Sequence, residues 1–204
     1  MKKCIRYSPL FALLLAMACA GHSPAEPAPL LPPFGPVYGL IHRSFESIPL
    51  SDGFDFPVGP PHARGYYNAQ PFGESFHLGD DWNGLGGGDT DLGDPVFAVA
   101  NGRVATASHE GPGWGNVVRI LHRTDSATLV ESLYAHLDIL LVQRGDSLRR
   151  GMKIGTIGTA DGAYLAHLHL EIRTQPGLPL GGGYNTQTEG FADPTAFIRA
   201  NRPK

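Results

Sequence analysis

The sequence predicts an all-β domain whose strands are mostly antiparallel. Short extended runs alternate with turn residues throughout the folded part, and long stretches of helical period are missing. Residues 96–100 and 103–107 flank an Asn101-Gly102 pair, which is typical of a hairpin turn. Further strands are predicted at residues 116–122, 128–136, 152–157 and 166–173. One short helix is predicted at residues 194–200.

The amino terminus predicts export. Lys2 and Lys3 precede an apolar run at residues 10–18, which is too short to span a membrane comfortably and is typical of a secretory signal. We interpret residues 1–18 as a lipoprotein-type signal peptide followed by Cys19 as the lipidated residue, with ordinary cleavage before Gly21 as the alternative. We therefore expect the protein in the cell envelope, lipid-anchored to a membrane facing the periplasm or otherwise secreted.

Two further segments complete the predicted organisation. Residues 19–54 form a proline-rich linker, in which six prolines between residues 24 and 36 prevent regular helix. This linker is either a stalk or a disordered amino terminus. Residues 55–204 are long enough for one domain with its own core. Both cysteines, Cys4 and Cys19, precede this domain, so an internal disulfide is excluded from it.

The charge pattern bears on the partners. The formal net charge is −3 with neutral histidines, and the basic residues cluster only at Arg149, Arg150 and Lys153. This argues against nucleic acid and against electrostatic attachment to an anionic membrane. We expect no nucleic-acid partner, membrane contact only through a lipid anchor, and a monomer.

Four histidines and one aspartate in three short segments form the strongest candidate site. These are His77, Asp81, His136, His167 and His169. In an extended chain, His167 and His169 project from the same strand face. His77 and Asp81 have the spacing of one helix face, but Gly79 between them favours a turn or loop.

These residue types suit a hydrolytic zinc site. Imidazole and carboxylate both bind Zn²⁺, and three protein ligands leave a fourth position for water. Two histidines and one aspartate would leave a net charge of about +1 at the metal, which polarises a carbonyl and acidifies water. Each segment alone is weak evidence, because paired strand histidines more often lie at the surface or make hydrogen bonds.

The order of the segments resembles the lysostaphin-like zinc metallopeptidases over residues 60–198. The shared motifs are His77-x-Gly79-x-Asp81, Gly93-x-Pro95-Val96, Tyr134-Ala135-His136-Leu137, Gly151-x-x-Ile154-Gly155 and His167-Leu168-His169-Leu170-Glu171. The resemblance implies a β-sandwich or barrel hybrid and makes residues 55–204 a metallopeptidase catalytic domain. It also implies His77, Asp81 and His169 as zinc ligands, with His136 and His167 as catalytic histidines whose roles are not divided.

Three segments depart from the family pattern. Residues 82–91 intervene between the aspartate and the Gly-x-Pro-Val strand, where the family usually passes quickly. Residues 163–166 are Ala-Tyr-Leu-Ala, whereas the family commonly has Ser-Thr-Gly-Pro before its His-x-His. Residues 175–190 form a long glycine-rich stretch where a short connection is common. We expect these departures to alter the groove rim and the substrate preference and to leave the ligands intact.

The resemblance favours a zinc-dependent endopeptidase that hydrolyses peptide cross-links of bacterial peptidoglycan, because all five site positions are filled. The alternative is a non-catalytic wall-binding or regulatory module that activates other cell-wall hydrolases. The sequence does not identify the bond that is cut.

Two other groups of residues have more than one interpretation. The carboxylates between Asp89 and Asp94 suit a calcium loop, but their spacing misses the EF-hand pattern and favours a solvated acidic loop. The aromatic residues Trp82, Trp114 and Tyr164 either line the groove or pack in the core.

Overall fold

A computed structural model describes residues 45–125 and 127–203, except for the side chain of Glu46. The predicted signal peptide, Cys19 and most of the predicted linker lie outside these residues. The strands are β1 (Tyr66–Gln70), β2 (Asp80–Gly84), β3 (Pro95–Phe97), β4 (Gly102–His109), β5 (Asn116–Arg123), β6 (Leu129–Leu140), β7 (Ser147–Leu148), β8 (Lys153–Ile157), β9 (Leu168–Arg173) and β10 (Phe191–Ala192). One α-helix, α1, spans Pro194–Ala200, and short helical turns lie at Phe45–Ser47, Gly59–Ala63 and Glu74–Phe76.

Antiparallel pairing joins all of these strands, which confirms the predicted fold class. The main path runs β1-β2-β9-β6-β5-β4-β7, with β10 beside β9 and with β8 joining β6 to β3. The sheet does not close, because β1 and β7 remain at the two ends of this path. In the described part of the chain, no helix is long and apolar enough to cross a membrane.

Strand β9 lies at the centre of the site and is buried on both faces. Leu168, Leu170 and Ile172 project into the core, as the alternation in the sequence predicts. On the opposite face, Glu171 and Arg173 are also buried. Residues 175–180 cover them, because the Arg173 guanidinium donates to the carbonyl oxygens of residues 178–180.

The predicted hairpin at Asn101-Gly102 is wrong. Strand β3 pairs with β8, whereas β4 pairs with β5 and β7, so the two strands on either side of this turn are not partners. The physical reason lies in residues 96–100, where Val96 and the consecutive Ala98, Val99 and Ala100 are all buried. The backbone of this run bonds to other parts of the chain and not to β4: Ala98 N–H donates to the Met152 carbonyl, the Val99 carbonyl accepts from the Asp55 N–H, and Val99 N–H donates to the Tyr134 hydroxyl oxygen.

The folded domain includes residues that the sequence assigned to the linker. Ile48 and Phe54 are buried, and the Ser51 N–H donates to the Arg123 carbonyl at 2.8 Å. The Phe54 ring packs edge-on against Phe197 of α1, with the ring centroids 5.0 Å apart. Ile48 and Phe54 are therefore held on the domain by apolar burial, and the predicted boundary at residue 55 cuts through a packed segment.

We expect the change Tyr134→Phe to destabilise the domain by about 1–3 kcal/mol, because it removes a buried acceptor. Val99 N–H and the Ser132 hydroxyl donate to the Tyr134 hydroxyl oxygen at 2.9 and 3.0 Å, and Tyr134 is fully buried. Urea unfolding measures the loss. The control Tyr67→Phe alters a ring that is 45% exposed, and an equal loss in both variants would contradict the role of the buried hydroxyl.

Candidate metal centre

The three predicted ligands, His77, Asp81 and His169, converge on one point. The distances are 3.0 Å from His77 Nε2 to His169 Nδ1, 2.9 Å from His169 Nδ1 to Asp81 Oδ1 and 3.4 Å from His77 Nε2 to Asp81 Oδ1. Ligand atoms about 2.0–2.1 Å from a tetrahedral zinc ion are separated by about 3.3 Å, so the spacing fits this metal. Within residues 45–125 and 127–203, this is the one group of three histidine, cysteine or acidic residues whose ligand atoms converge.

Strand register and a tight loop bring the three residues together. Asp81 on β2 lies directly opposite His169 on β9. His77 follows the helical turn Glu74–Phe76 and bridges to Tyr184, so the loop interpretation of the His77-to-Asp81 spacing is correct. Gly79 is required by the close approach of β9, since an added Cβ would lie 2.7 Å from His169 Cε1 and 2.5 Å from the Leu170 carbonyl oxygen.

Hydrogen bonds orient both candidate ligand imidazoles, His77 and His169. His77 Nδ1 donates to the Gln70 carbonyl at 3.1 Å, which leaves the Nε2 lone pair directed at the centre. His169 Nε2 donates to Glu171 Oε1 at 3.1 Å, which directs Nδ1 at the centre. A carboxylate behind a ligating histidine fixes its tautomer and raises its basicity. Glu171, which the sequence analysis did not assign to the site, thus supports His169.

The electrostatics of the metal-free site favour a bound cation. Burial lowers the pKa of His77 and keeps this imidazole neutral. Burial also opposes the charged form of His169, but hydrogen bonds to Asp81 and Glu171 outweigh it and raise the pKa of His169 to about 9. Burial raises the pKa of Asp81, yet its hydrogen bond with His169 and the neighbouring histidines hold the pKa below its ordinary value. A proton on His169 and a bound metal ion would therefore balance the same carboxylates, Asp81 and Glu171.

A break in strand β6 turns His136 toward the site. Regular alternation would place His136 on the same core face as Tyr134, but His136 has a φ of +63° and the pairing of β5 with β6 shifts register beside it. As a result Tyr134 and Leu137 both enter the core, and His136 faces the groove. Left-handed backbone is costly for a residue with a Cβ and clusters at functional sites.

His136 and His167 form a second pair next to the ligands. Their ring centroids are 4.7 Å apart. Nδ1 of His136 donates to the Trp114 carbonyl at 3.3 Å, and Nδ1 of His167 donates to the Leu165 carbonyl at 2.8 Å. Each ring therefore has its Nε2 available, and His167 Nε2 lies 3.8 Å from Asp81 Oδ2. Burial and the neighbouring histidines lower the pKa of His136 to about 3, so this imidazole is neutral.

All five predicted site residues line one groove of 590 Å³. Its walls also include Gln70, Trp114, Tyr164, Tyr184 and the glycines at 181–183, and none of the lysines and arginines that the structure describes lines it. Gln70 and Tyr184 are not among the site residues predicted from the sequence. The sequence signal for Tyr184 is its place in the long stretch 175–190, where the family commonly has a short connection. In the structure, a β-bridge between His77 and Tyr184 holds this stretch beside His77.

The three aromatic candidates are divided between the groove and the core. Trp114 and Tyr164 line the groove, whereas Trp82 is buried and packs edge-on against Phe56, with the centroids 5.2 Å apart.

The carboxylates of the acidic loop do not form a converging ligand group within the described residues. Asp89 accepts from Ala166 N–H, Asp91 accepts from Gly84 N–H, and Asp94 accepts from the Tyr66 hydroxyl. Each of these carboxylates therefore acts as a hydrogen-bond acceptor for another part of the chain.

Residues 82–180 match the family model of peptidase family M23. Lipoprotein NlpD of Yersinia enterocolitica is 41% identical to this chain over 81 residues, which make up 40% of this chain and 78% of that protein. The chain belongs to peptidase family M23. The family match begins directly after Asp81, so it contains His136, His167 and His169 of this M23 chain but not His77 or Asp81.

Another relative and a solved structure are also similar to the M23 chain. The murein hydrolase activator NlpD of Escherichia coli is 38% identical over 81 residues, which make up 40% of this chain but only 20% of that protein. The antimicrobial peptidase lysostaphin from Staphylococcus simulans superposes with a TM-score of 0.48 at 22% identity, covering 66% of this chain and 48% of that chain.

The change Glu171→Gln tests the support of His169. We expect zinc affinity to fall about 10- to 100-fold, because the buried carboxylate that orients and polarises His169 loses its charge. Competition with a chromogenic chelator measures the affinity, and thermal unfolding verifies that the variant is folded. Glu110→Gln is the control, since Glu110 is exposed and pairs with Ser108. Equal affinities of both variants would show that Glu171 does not tune the site.

Zinc binding should release about one proton near pH 6. His169, with its pKa raised to about 9, is protonated in the metal-free chain at this pH and must become neutral to bind metal. His77, with its lowered pKa, contributes little. Titration calorimetry in two buffers of different ionisation enthalpy counts the protons. A heat of binding that is independent of the buffer near pH 6 would contradict this protonation state.

Proposed function

We propose that this M23 protein is a zinc-dependent endopeptidase that hydrolyses peptide cross-links of bacterial peptidoglycan. The observation that carries the proposal is the completeness of the groove. Three residues have ligand atoms at zinc spacing, and two further histidines beside them have Nε2 atoms free of protein hydrogen bonds. A site that only stored metal would need the first set and not the second.

The proposed metal site uses His77, Asp81 and His169. Zinc, when bound, supplies a Lewis acid that polarises the scissile carbonyl and makes water more acidic. His77 and His169 bind as neutral imidazoles and Asp81 as a carboxylate, so strong acid would release the metal. Glu171 and the Gln70 carbonyl keep the two imidazoles aimed at the centre.

His136 and His167 perform the proton chemistry in this proposal. His136 is neutral, donates from Nδ1 to the Trp114 carbonyl and presents Nε2 as an acceptor, which suits a group that orients or deprotonates water. His167 is the second histidine and, once Nε2 carries a proton in addition to the one on Nδ1, would donate to the developing oxyanion or to the departing amine. Its Nδ1 is held by the Leu165 carbonyl, so Nε2 is the atom that faces the substrate.

The lining of the groove suits an extended peptide. Gly181 and Gly182 leave the backbone of one wall exposed, and Trp114, Tyr164 and Tyr184 present aromatic surface. Because no lysine or arginine within residues 45–125 and 127–203 lines the groove, recognition would depend on main-chain hydrogen bonds and apolar contact more than on a fixed anion site.

We propose location in the cell envelope with Cys19 as a lipid anchor. The export pattern of residues 1–18 and the lipoprotein name of the Yersinia relative support this location. The mass of the mature amino terminus distinguishes a lipidated Cys19 from an ordinary cleavage before Gly21.

The second candidate is a regulatory module that activates another cell-wall hydrolase. The name of the Escherichia coli relative, a murein hydrolase activator, favours it. In that case His136 and His167 would have no catalytic task, and the protein would accelerate a partner hydrolase without cutting peptidoglycan itself.

Digestion of intact peptidoglycan separates the two candidates. We expect the purified mature protein to release new peptide termini, identified by mass spectrometry, and we expect a chelator to abolish the cleavage and added zinc to restore it. Cleavage that is missing with zinc bound, together with stimulation of an added hydrolase, would favour the activator.

Substitutions in the site refine this experiment. His169→Ala should lose zinc and activity together, whereas His136→Ala should keep zinc and lose about 100- to 10,000-fold in kcat, because it removes only a proton-transfer group. His62→Ala is the matched control, since His62 is exposed and does not line the groove. Equal loss of zinc in the first two variants would overturn the division into ligands and catalytic histidines.

A further inference from the structure

Two of the segments that depart from the family pattern, residues 82–91 and 163–166, contact each other beside His136 and His167. We propose that residues 83–91 of the inserted segment form a brace that positions the chain carrying His167, with Asp89 as its positioning residue. Asp89 Oδ1 accepts the Ala166 N–H at 2.7 Å, and Asn83 Nδ2 donates to the Ala166 carbonyl at 3.2 Å. The brace thus holds the peptide groups on both sides of Ala166.

The brace acts where the β-ladder has ended. The pairing of β2 with β9 stops at Trp82 opposite Leu168, so Ala166 lies beyond the last strand partner. Ala166 is nevertheless fully buried, and a buried N–H or carbonyl without a partner is costly. Side chains of Asp89 and Asn83 provide the hydrogen bonds that a longer ladder would have provided.

The braced peptide lies between two groove residues. His167 follows Ala166 directly, and its ring is fixed by the Leu165 carbonyl immediately before Ala166. Tyr164 lies on the same short segment, with its ring centroid 5.1 Å from that of His136 and 5.8 Å from that of His167. A shift at Ala166 would therefore move both His167 and the aromatic wall above it.

The brace is itself held in shape. Asp91 is buried, and its Oδ2 accepts the Gly84 N–H at 2.8 Å, which closes the inserted loop at its base. Thr90 donates to the Gly87 carbonyl at 2.8 Å within the loop. None of residues 84–91 lines the groove, so the insertion reaches the substrate only through residues 164–167.

The two departures compensate for each other chemically. Where the family commonly has proline before the His-x-His, a backbone N–H is missing and needs no acceptor. This chain has Ala166 at that position, and its buried N–H requires one. The carboxylate of Asp89 in the insertion supplies it.

The test compares Asp89→Ala with Asp89→Asn and with a control, Asp125→Ala. Asp125 also accepts backbone N–H groups in a turn, those of Ala127 and Thr128, but it belongs to the connection between β5 and β6. We expect Asp89→Ala to raise the amide exchange rate of residues 165–167 about tenfold. Asp89→Asn, which keeps an acceptor oxygen, and Asp125→Ala should leave this rate near that of the wild type.

The kinetic readout deepens the proposed function and rests on it. Asp89→Ala should keep zinc affinity, because His77, Asp81 and His169 make no contact with Asp89, and it should lower kcat about tenfold with less effect on KM. A merely structural role would lower stability and zinc binding together. If amide exchange is faster in Asp89→Ala but the wild-type protein does not cleave peptidoglycan, the brace is supported and the proposed peptidase function is overturned.

A double-mutant cycle with Ala166→Pro decides whether Asp89 acts through the Ala166 N–H. Proline removes this N–H, so adding Asp89→Ala to Ala166→Pro should cause no further loss in kcat. An equal loss in both backgrounds, or wild-type exchange in Asp89→Ala, would overturn the proposal. If Ala166→Pro does not fold, the difference in exchange and kcat between Asp89→Ala and Asp89→Asn decides alone.

Discussion

The site depends on one cross-strand pair, Asp81 on β2 opposite His169 on β9. Directly opposite residues on neighbouring antiparallel strands have side chains within contact distance, so this register sets an anionic oxygen against an imidazole. A slip of one residue would turn His169 into the core and bring Leu168 or Leu170 to the groove. Burial of those leucines on the opposite face therefore keeps the proposed metal ligands in place.

Behind this pair, the buried charges of Glu171 and Arg173 connect His169 to the groove wall. Burial raises the pKa of Glu171, but its hydrogen bond with His169 and the charge of Arg173 lower the pKa below its ordinary value, so the carboxylate is ionised. Arg173 donates to Glu171 and to the carbonyls of residues 178–180, which precede the wall glycines. Removing one member would leave a buried charge unpaired. The long stretch after β9 is thus part of the support of His169 as well as of the groove.

The proposed catalytic pair, His136 and His167, depends on irregular backbone, in contrast to Asp81 and His169. His136 reaches the groove through a left-handed residue in β6, and His167 precedes β9 on a segment that side chains of the insertion hold. Regular strands fix the groups that must converge within a few ångströms on a metal. Bulges and loops then add groups from directions that the strand alternation does not offer.

The sequence by itself determined most of the strands, the helix of residues 194–200 and the alternation that puts His167 and His169 on one face, because these features follow from local periodicity. The five site residues could be selected from their order along the chain. The tertiary structure decided that Asn101-Gly102 joins strands that do not pair and that His136 leaves the core face. It also decided that Glu171 supports His169 and that Asp89 meets Ala166. These features depend on long-range pairing and on buried polar groups that need partners, and neither is encoded in the spacing of nearby residues.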